Sequence, residues 1–194
     1  DTHSDYDNTT LYLGGQYDVV PGLLKVSPIF RLIDAGTDLD TDPTVSESGE
    51  IIPNQDTEKN RVDASGYILG ITSSYTPSSA YENRVRVYYN DVNRDFFFDF
   101  SGFESRSEFI GKSFNTEMEN IFKLADLNSE IVLGLNYEHQ KSRTDNDDVI
   151  DDDSRDQYSI YLYDRTGFFD DILQLAGGAR VTDISNIDKT ISTL

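Results

Sequence analysis

Apolar side chains return on every second position along nearly the whole chain, and this repeat limits the fold more than any other feature. In "EIVLGLNYEHQ" (130–140), Ile131, Leu133, Leu135 and Tyr137 alternate with Val132, Gly134, Asn136 and Glu138. In "QYSIYLYD" (157–164), Tyr158, Ile160 and Leu162 alternate with Gln157, Ser159 and Tyr161. Period two is the repeat of a β-strand, in which successive side chains point to opposite faces. The same pattern runs through "TTLYLGGQYDV" (9–19), "LLKVSPIFRLID" (23–34), "ASGYILGITSSY" (64–75), "RVRVYYND" (84–91), "FIGKSFNTEMENIFKL" (109–124) and "ILQLAGGARVTD" (172–183). About eight strands in hairpins follow from this count, so the predicted class is all-β and antiparallel.

The connections are of two kinds. "VPG" (20–22), "TPSSAYEN" (76–83), "ADLNSE" (125–130) and "RTGFFDD" (165–171) are short turns. Between them stand longer polar stretches: residues 38–60, "NRDFFFDFSGFESRSE" (93–108) and the acidic "TDNDDVIDDDSRD" (144–156), read here as loops. Pro28 interrupts its run and cannot donate to a ladder, so a bulge is expected there. Short turns at one end and long loops at the other are the habit of transmembrane β-barrels, with one parity facing lipid and the other a polar lumen. Lys25, Arg31, Arg84, Arg86, Glu117, Glu119, Gln140 and Arg180 all fall on the polar parity. A soluble barrel or sandwich produces the same alternation, with the apolar parity buried. Run length favours the membrane: soluble strands average five or six residues, and the stretches around 60–75, 84–96 and 107–124 are longer.

Composition removes several classes. The formal charge of -20 leaves no Lys/Arg surface for a phosphate backbone, so no nucleic-acid partner is expected. Cysteine is absent, which excludes disulfides and thiolate metal sites. With 12 Tyr and 11 Phe spread along periodic runs, the chain is not a disordered one. It has no apolar run long enough for a transmembrane helix, but barrel strands cross with about nine to eleven residues. Catalytic motifs are missing: there is no G-x-S-x-G, H-E-x-x-H or phosphate loop, and the two histidines, His3 and His139, stand on different runs. Glu117 and Glu119 share a face with Arg84 and Arg86 in prospect, and ion pairing is preferred to acid/base work. The chain is not expected to be an enzyme.

The stretch "NSEIVLGLNYEHQKSRTDNDDVIDDDSRDQYSIYLYDRTGFFDDILQLAGGARVTDISN" resembles the barrel of a TonB-dependent outer-membrane receptor. Its strand, long loop, aromatic "YSIYLYDR" strand, turn and "LQLAGGARVTDIS" strand come in that family's order. Together with "SDYDNTTLYLGGQYD", "LIDAGTDLDTD" and "FNTEMENIF", the spacing is most similar to the cobalamin receptor branch. The resemblance implies a single barrel segment over residues 1–194, part of a larger barrel of 22 strands, with the plug domain and the remaining strands absent. The opening "DTHSDYD" and the closing "DKTISTL", which lacks a terminal aromatic, fit a fragment. The implied function is active transport of a scarce nutrient, a corrinoid or a metal chelate such as a siderophore, across the outer membrane of a Gram-negative bacterium. The implied partners are outer-membrane lipid, the small-molecule ligand, and TonB through the missing plug. A complete small eight-stranded barrel with a structural or adhesive role is the alternative, and a soluble β-barrel binding protein a weaker third.

The same resemblance implies calcium in the outer loops, held by Asp5 and Asp7 before the first run and by Asp34, Asp38 and Asp40 at the outer end of the second. No other cofactor is required. Calcium takes six to eight oxygen ligands, which carboxylates from two adjacent loops can supply. Solvated loop acids are the plain reading of the same residues. "DNDDVIDDD" is no EF-hand, having no glycine at its sixth position. "FFFDF" (96–100) is read either as an aromatic substrate contact in the outer loop or as part of an aromatic girdle, the girdle being preferred.

Overall fold

The protein was analysed as a computed structural model. It describes residues 6–38, 44–45, 51–52, 60–100, 103–146, 149–168, 172–185 and 187–193. The strands are β1 (Tyr6–Gly14), β2 (Tyr17–Val20), β3 (Leu24–Asp38), β4 (Thr44–Val45), β5 (Ile51–Ile52), β6 (Arg61–Ser78), β7 (Tyr81–Phe100), β8 (Phe103–Leu124), β9 (Ser129–Asn146), β10 (Val149–Phe168), β11 (Leu173–Ile184) and β12 (Ile187–Thr193). Helical structure among the described residues is one 3-10 turn, Ala125–Leu127.

All but β4 and β5 belong to one antiparallel sheet, in the order β1, β3, β6, β7, β8, β9, β10, β11, β12, with β2 also on β3. Every neighbour in space is the next long strand in sequence, as a chain of hairpins dictates. The path runs from β1 to β12 without closing on itself. β1 and β2 together form the first predicted run, so the eight predicted strands are present, and β12 and the short β4–β5 pair within the predicted loop 38–60 are added to them.

Three expectations are corrected. Residues 144–156, read as a loop, are strand up to Asn146 and again from Val149. Residues 93–108 likewise continue β7 and β8, which are 20 and 22 residues long. Charge does not oppose the pairing of the acidic run on β10, because Asp151, Asp152 and Asp153 lie opposite Thr144, Arg143 and Ser142. Pro28 also behaves differently from expectation. Its register with Ile71 on β6 is unbroken. Its carbonyl oxygen accepts from the Gly15 amide at 3.2 Å, so its missing N–H falls on the β1/β2 side. The ladder there is interrupted between Gly14 and Tyr17, which removes the demand for the donor that proline lacks.

The sheet has one layer and almost no buried core. Ile121 is the one buried hydrophobic side chain among the described residues. On one face Leu133 stands opposite Leu162 and that opposite Ala179, while Leu135 stands opposite Ile160 and that opposite Val181. These chains lie open: Leu135 is 45% exposed, Ile160 50% and Leu162 51%. Asn136, Glu138, Gln174 and Arg180 take the opposite parity, as the alternation requires.

Aromatic side chains bound the apolar face at both ends, as a row at the outer end and as a pair near the turns. At the outer end, Tyr67 stacks obliquely on Tyr89 (5.9 Å between centroids), Phe114 on Tyr137 (6.4 Å) and Tyr137 on Tyr158 (4.9 Å). Near the short turns, Tyr81 meets Phe122 at 5.3 Å. From Tyr67 on β6 to Tyr158 on β10, the outer row slips four residues toward the turns over four strand spacings. This is read from Tyr67 opposite Leu32, Leu69 opposite both Phe30 and Tyr89, and Tyr137 opposite both Thr116 and Tyr158. A belt level in space therefore requires strands inclined by about 35°, at ~3.3 Å per residue and ~4.8 Å per strand. Outer-membrane barrels incline theirs by about 35–45°. The row and the pair are eight residues apart on β7 and β8, which makes the band roughly 20 Å tall at that tilt.

Candidate functional site

The polar face carries a network of paired charges where the strands cross the middle of the band. Arg84, Arg86, Glu117 and Glu119 come from β7 and β8 at directly opposed positions, Arg84 against Glu119 and Arg86 against Glu117. The Arg86 guanidinium donates to Glu117 at 2.6 Å and approaches Glu119 at 3.0 Å. Arg84 reaches Glu119 at 3.4 Å and Glu82 at 2.7 Å. From β10, two strands away, the Tyr161 hydroxyl lies 2.8 Å from Glu117 and 3.0 Å from Glu119. Arg180 on β11 stands 5.7 Å from the centre of the Tyr161 ring and donates to the Ser159 hydroxyl at 2.9 Å.

Tyr161 reaches so far because Gly134 lies opposite it on β9 and its ring occupies the space a Cβ there would need. Tyr88 covers Gly70 on β6 in the same way, with its hydroxyl 3.2 Å from the Thr72 hydroxyl. The paired glutamates are thus engaged with guanidinium and phenol groups, as ion pairing anticipated, and no base or nucleophile is free beside them. The signal for Tyr161 was present in the sequence as a glycine on the polar parity, but its partner depends on register.

Outward of this network the same face opens into a recess of about 410 Å³, lined by Asn90, Arg94, Phe109, Ser113, Gln140 and Arg155. Small residues, Gly111, Ser113 and Ser142, leave the space. Arg155 donates to the Gln140 side-chain oxygen at 2.7 Å. Arg94 and Arg31 have no ion-pair partner among the described residues and share this parity. A concave polar wall that presents Arg94 and Arg155, with Asp153 among its lining, suits an oxygen-rich small molecule.

At the outer end of the sheet, Asp7 and Asp38 do come together, but on a guanidinium. Arg61 stands 3.4 Å from Asp7, 3.2 Å from Asp38 and 2.7 Å from Asp63. These carboxylates, Asp63 foremost, hold the Arg61 guanidinium in its charged form still more firmly than usual. Asp34 lies four residues inward of Asp38 on β3, opposite Thr9 and Ser65. Asp5 and Asp40 lie outside the described residues, as does His3. No group of three or more acidic, histidine or cysteine side chains is arranged to hold a metal ion among the described residues. Of the five aspartates, Asp7 and Asp38 are thus engaged by Arg61. His139 sits on the apolar parity one row outward of Tyr137, where its ring nitrogen and the Tyr137 hydroxyl both lie 2.8 Å from Asp156.

No family model matches the chain, and no characterised protein matches it by sequence. Solved structures do match. The ferric preacinetobactin receptor BauA of Acinetobacter baumannii shares 10% identity at a TM-score of 0.69, over 97% of this chain and 36% of its own. A mutant of the ferric enterobactin receptor PfeA of Pseudomonas aeruginosa shares 11% at 0.71, over 97% and 30%. The RagAB peptide importer shares 9% at 0.63, over 98% and 29%. The chain therefore spans about a third of the length of these proteins. At such identities the likeness establishes the fold, an antiparallel barrel segment, and does not single out a cobalamin branch.

Proposed function

We propose that this chain is part of the barrel wall of a TonB-dependent receptor in the outer membrane of a Gram-negative bacterium, importing a scarce small nutrient. The single observation that carries the reading is the one-layer sheet whose exposed apolar face lies between a sloping outer aromatic row and the Tyr81–Phe122 pair near the turns, with its charged pairs on the other side. Lipid is the medium that satisfies such a face: a water-facing apolar band of this extent is a liability in a soluble protein. The open edges at β1 and β12 favour a wall within a larger barrel over a complete eight-stranded one, since unpaired edge ladders are not tolerated in the hydrocarbon region.

A metal chelate is the preferred cargo, because the lumenal recess offers the Arg94 and Arg155 guanidinium groups to the anionic or oxygen-rich groups of such ligands. The receptors named for ferric chelates support that choice, while the corrinoid branch draws no support from them. Calcium in the outer loops, through Asp5, Asp7, Asp34, Asp38 and Asp40, belongs to the same proposal and requires Asp7 and Asp38 to exchange Arg61 for the ion. Coupling to TonB would run through a plug outside this chain. The test is uptake by cells making the full-length protein, with and without TonB, offered radiolabelled ferric chelates, cobalamin or peptides. TonB-dependent accumulation of a ferric chelate is expected. Accumulation of cobalamin or peptide alone would replace the cargo, and TonB-independent or absent accumulation would overturn the transport reading.

A further inference from the structure

Just outside the aromatic belt, on the apolar side of the sheet, Lys112 of β8 stands directly opposite Lys141 of β9. Two like charges facing each other across a ladder destabilise it unless something neutralises them. Lys112 has Asp91 at 3.4 Å. Lys141 has no ion pair or hydrogen bond among the described residues, and Ser154 lies opposite it on β10. Arg143, the next residue outward on that face of β9, is engaged by Asp145 at 3.2 Å. In a chain of charge -20, an exposed and incompletely compensated lysine pair points to an anion from outside the protein.

We propose that Lys112 and Lys141 form an external contact site for the phosphate groups of outer-leaflet lipid. This rests on the membrane reading above. Lys112 is two residues outward of Phe114, and Lys141 four outward of Tyr137, on the same face. At the strand tilt derived from the belt, their Cα atoms stand about 5 and 10 Å beyond the aromatic row. The headgroup layer extends about 5–8 Å beyond the hydrocarbon on each side, and the long lysine stems bend toward it while keeping the ammonium polar. Each ammonium has three donors, so Lys112 can keep Asp91 and still take a phosphate oxygen, and the Ser154 hydroxyl adds a donor beside Lys141. The pair points away from the lumen, so its ligand is a membrane component and not the transported molecule.

The experiment compares full-length protein with its Lys112→Gln plus Lys141→Gln variant in vesicles of neutral lipid doped with bis-phosphorylated lipid A. Readouts are insertion, by protease protection, and the lipid A retained per protein after extraction into detergent. Wild type is expected to retain about thirtyfold more lipid A than the variant, the combined worth of two lysines near an anionic surface. Dephosphorylated lipid A and millimolar inorganic phosphate are expected neither to be retained nor to compete. Equal retention by two inserted proteins overturns the lysine site while leaving the membrane reading intact. Competition by inorganic phosphate at millimolar levels overturns the assignment to lipid. Failure of wild type to insert overturns the membrane reading and this proposal with it.

Discussion

Tyr161 lies directly opposite Gly134, and the ring that fills the space above this glycine carries its hydroxyl to both Glu117 and Glu119. One missing side chain on β9 thus lets a residue of β10 reach acids on β8, tying three strands together across the lumenal face.

Gly134→Val should displace that ring and disconnect it from both carboxylates. Overpacking of this kind costs about 1–3 kcal/mol. Tyr161→Phe keeps the ring and loses only the hydroxyl, at about 1.5–3 kcal/mol for a hydrogen bond to charged acceptors. Urea unfolding from vesicles checks both, and the double variant should cost no more than Gly134→Val alone, since the glycine change already removes the hydroxyl's contacts.

The apolar face is tested by placing a charge in the middle of the band. Leu133→Arg, between the outer aromatic row and the turns, should cost about 2–4 kcal/mol in a bilayer, whereas Asn136→Arg on the lumenal face should cost much less. The same unfolding assay separates them; equal costs would remove lipid as the medium of that face.

Arg61 and calcium compete for the same carboxylates. If calcium is held by Asp7 and Asp38, Arg61→Gln should tighten it, because the ion no longer displaces a guanidinium 3.2 Å from Asp38. Titration with calcium in the full-length protein checks this, with Asp7→Asn plus Asp38→Asn as the control. Unchanged calcium affinity in all three proteins would take Asp7 and Asp38 out of the site.

At the rim of the band, the hydrogen bond to His139 first, and that from Tyr137 second, hold the Asp156 carboxyl below the usual aspartate value of 3.8. A lowered carboxylate contributes stability that is present above its unfolded value and is lost as pH falls through its folded one. The Tyr137 and His139 contacts should therefore survive at pH 4 and break only in stronger acid. Carboxyl titration by NMR should show His139→Ala returning Asp156 upward toward the ordinary value; no movement would assign the lowering to Tyr137 alone.

The strands and their faces were legible in the sequence because both are local: backbone pleating alone puts residues two apart on one side, so Leu133, Leu135, Ile160 and Leu162 sort together before any partner is known. The pairing of Arg84 and Arg86 with Glu117 and Glu119 was legible for the same reason, given one hairpin. The acidic stretch 144–156 was misread because charge was taken as the mark of a loop, although Lys141, Arg143 and Arg155 are interleaved with it and the hairpin register sets acids against Thr144, Arg143 and Ser142. Everything that depends on register across several strands was decided by the tertiary structure. The contact of Tyr161 with Glu117 and Glu119, the slope of the aromatic belt, the opposition of Lys112 and Lys141, and the gathering of Asp7, Asp38 and Asp63 on Arg61 are all of this kind. The physical reason is that a one-residue slip preserves every local propensity while moving each side chain to the other face and each pair to a new partner, so only the assembled ladders distinguish one register from the next.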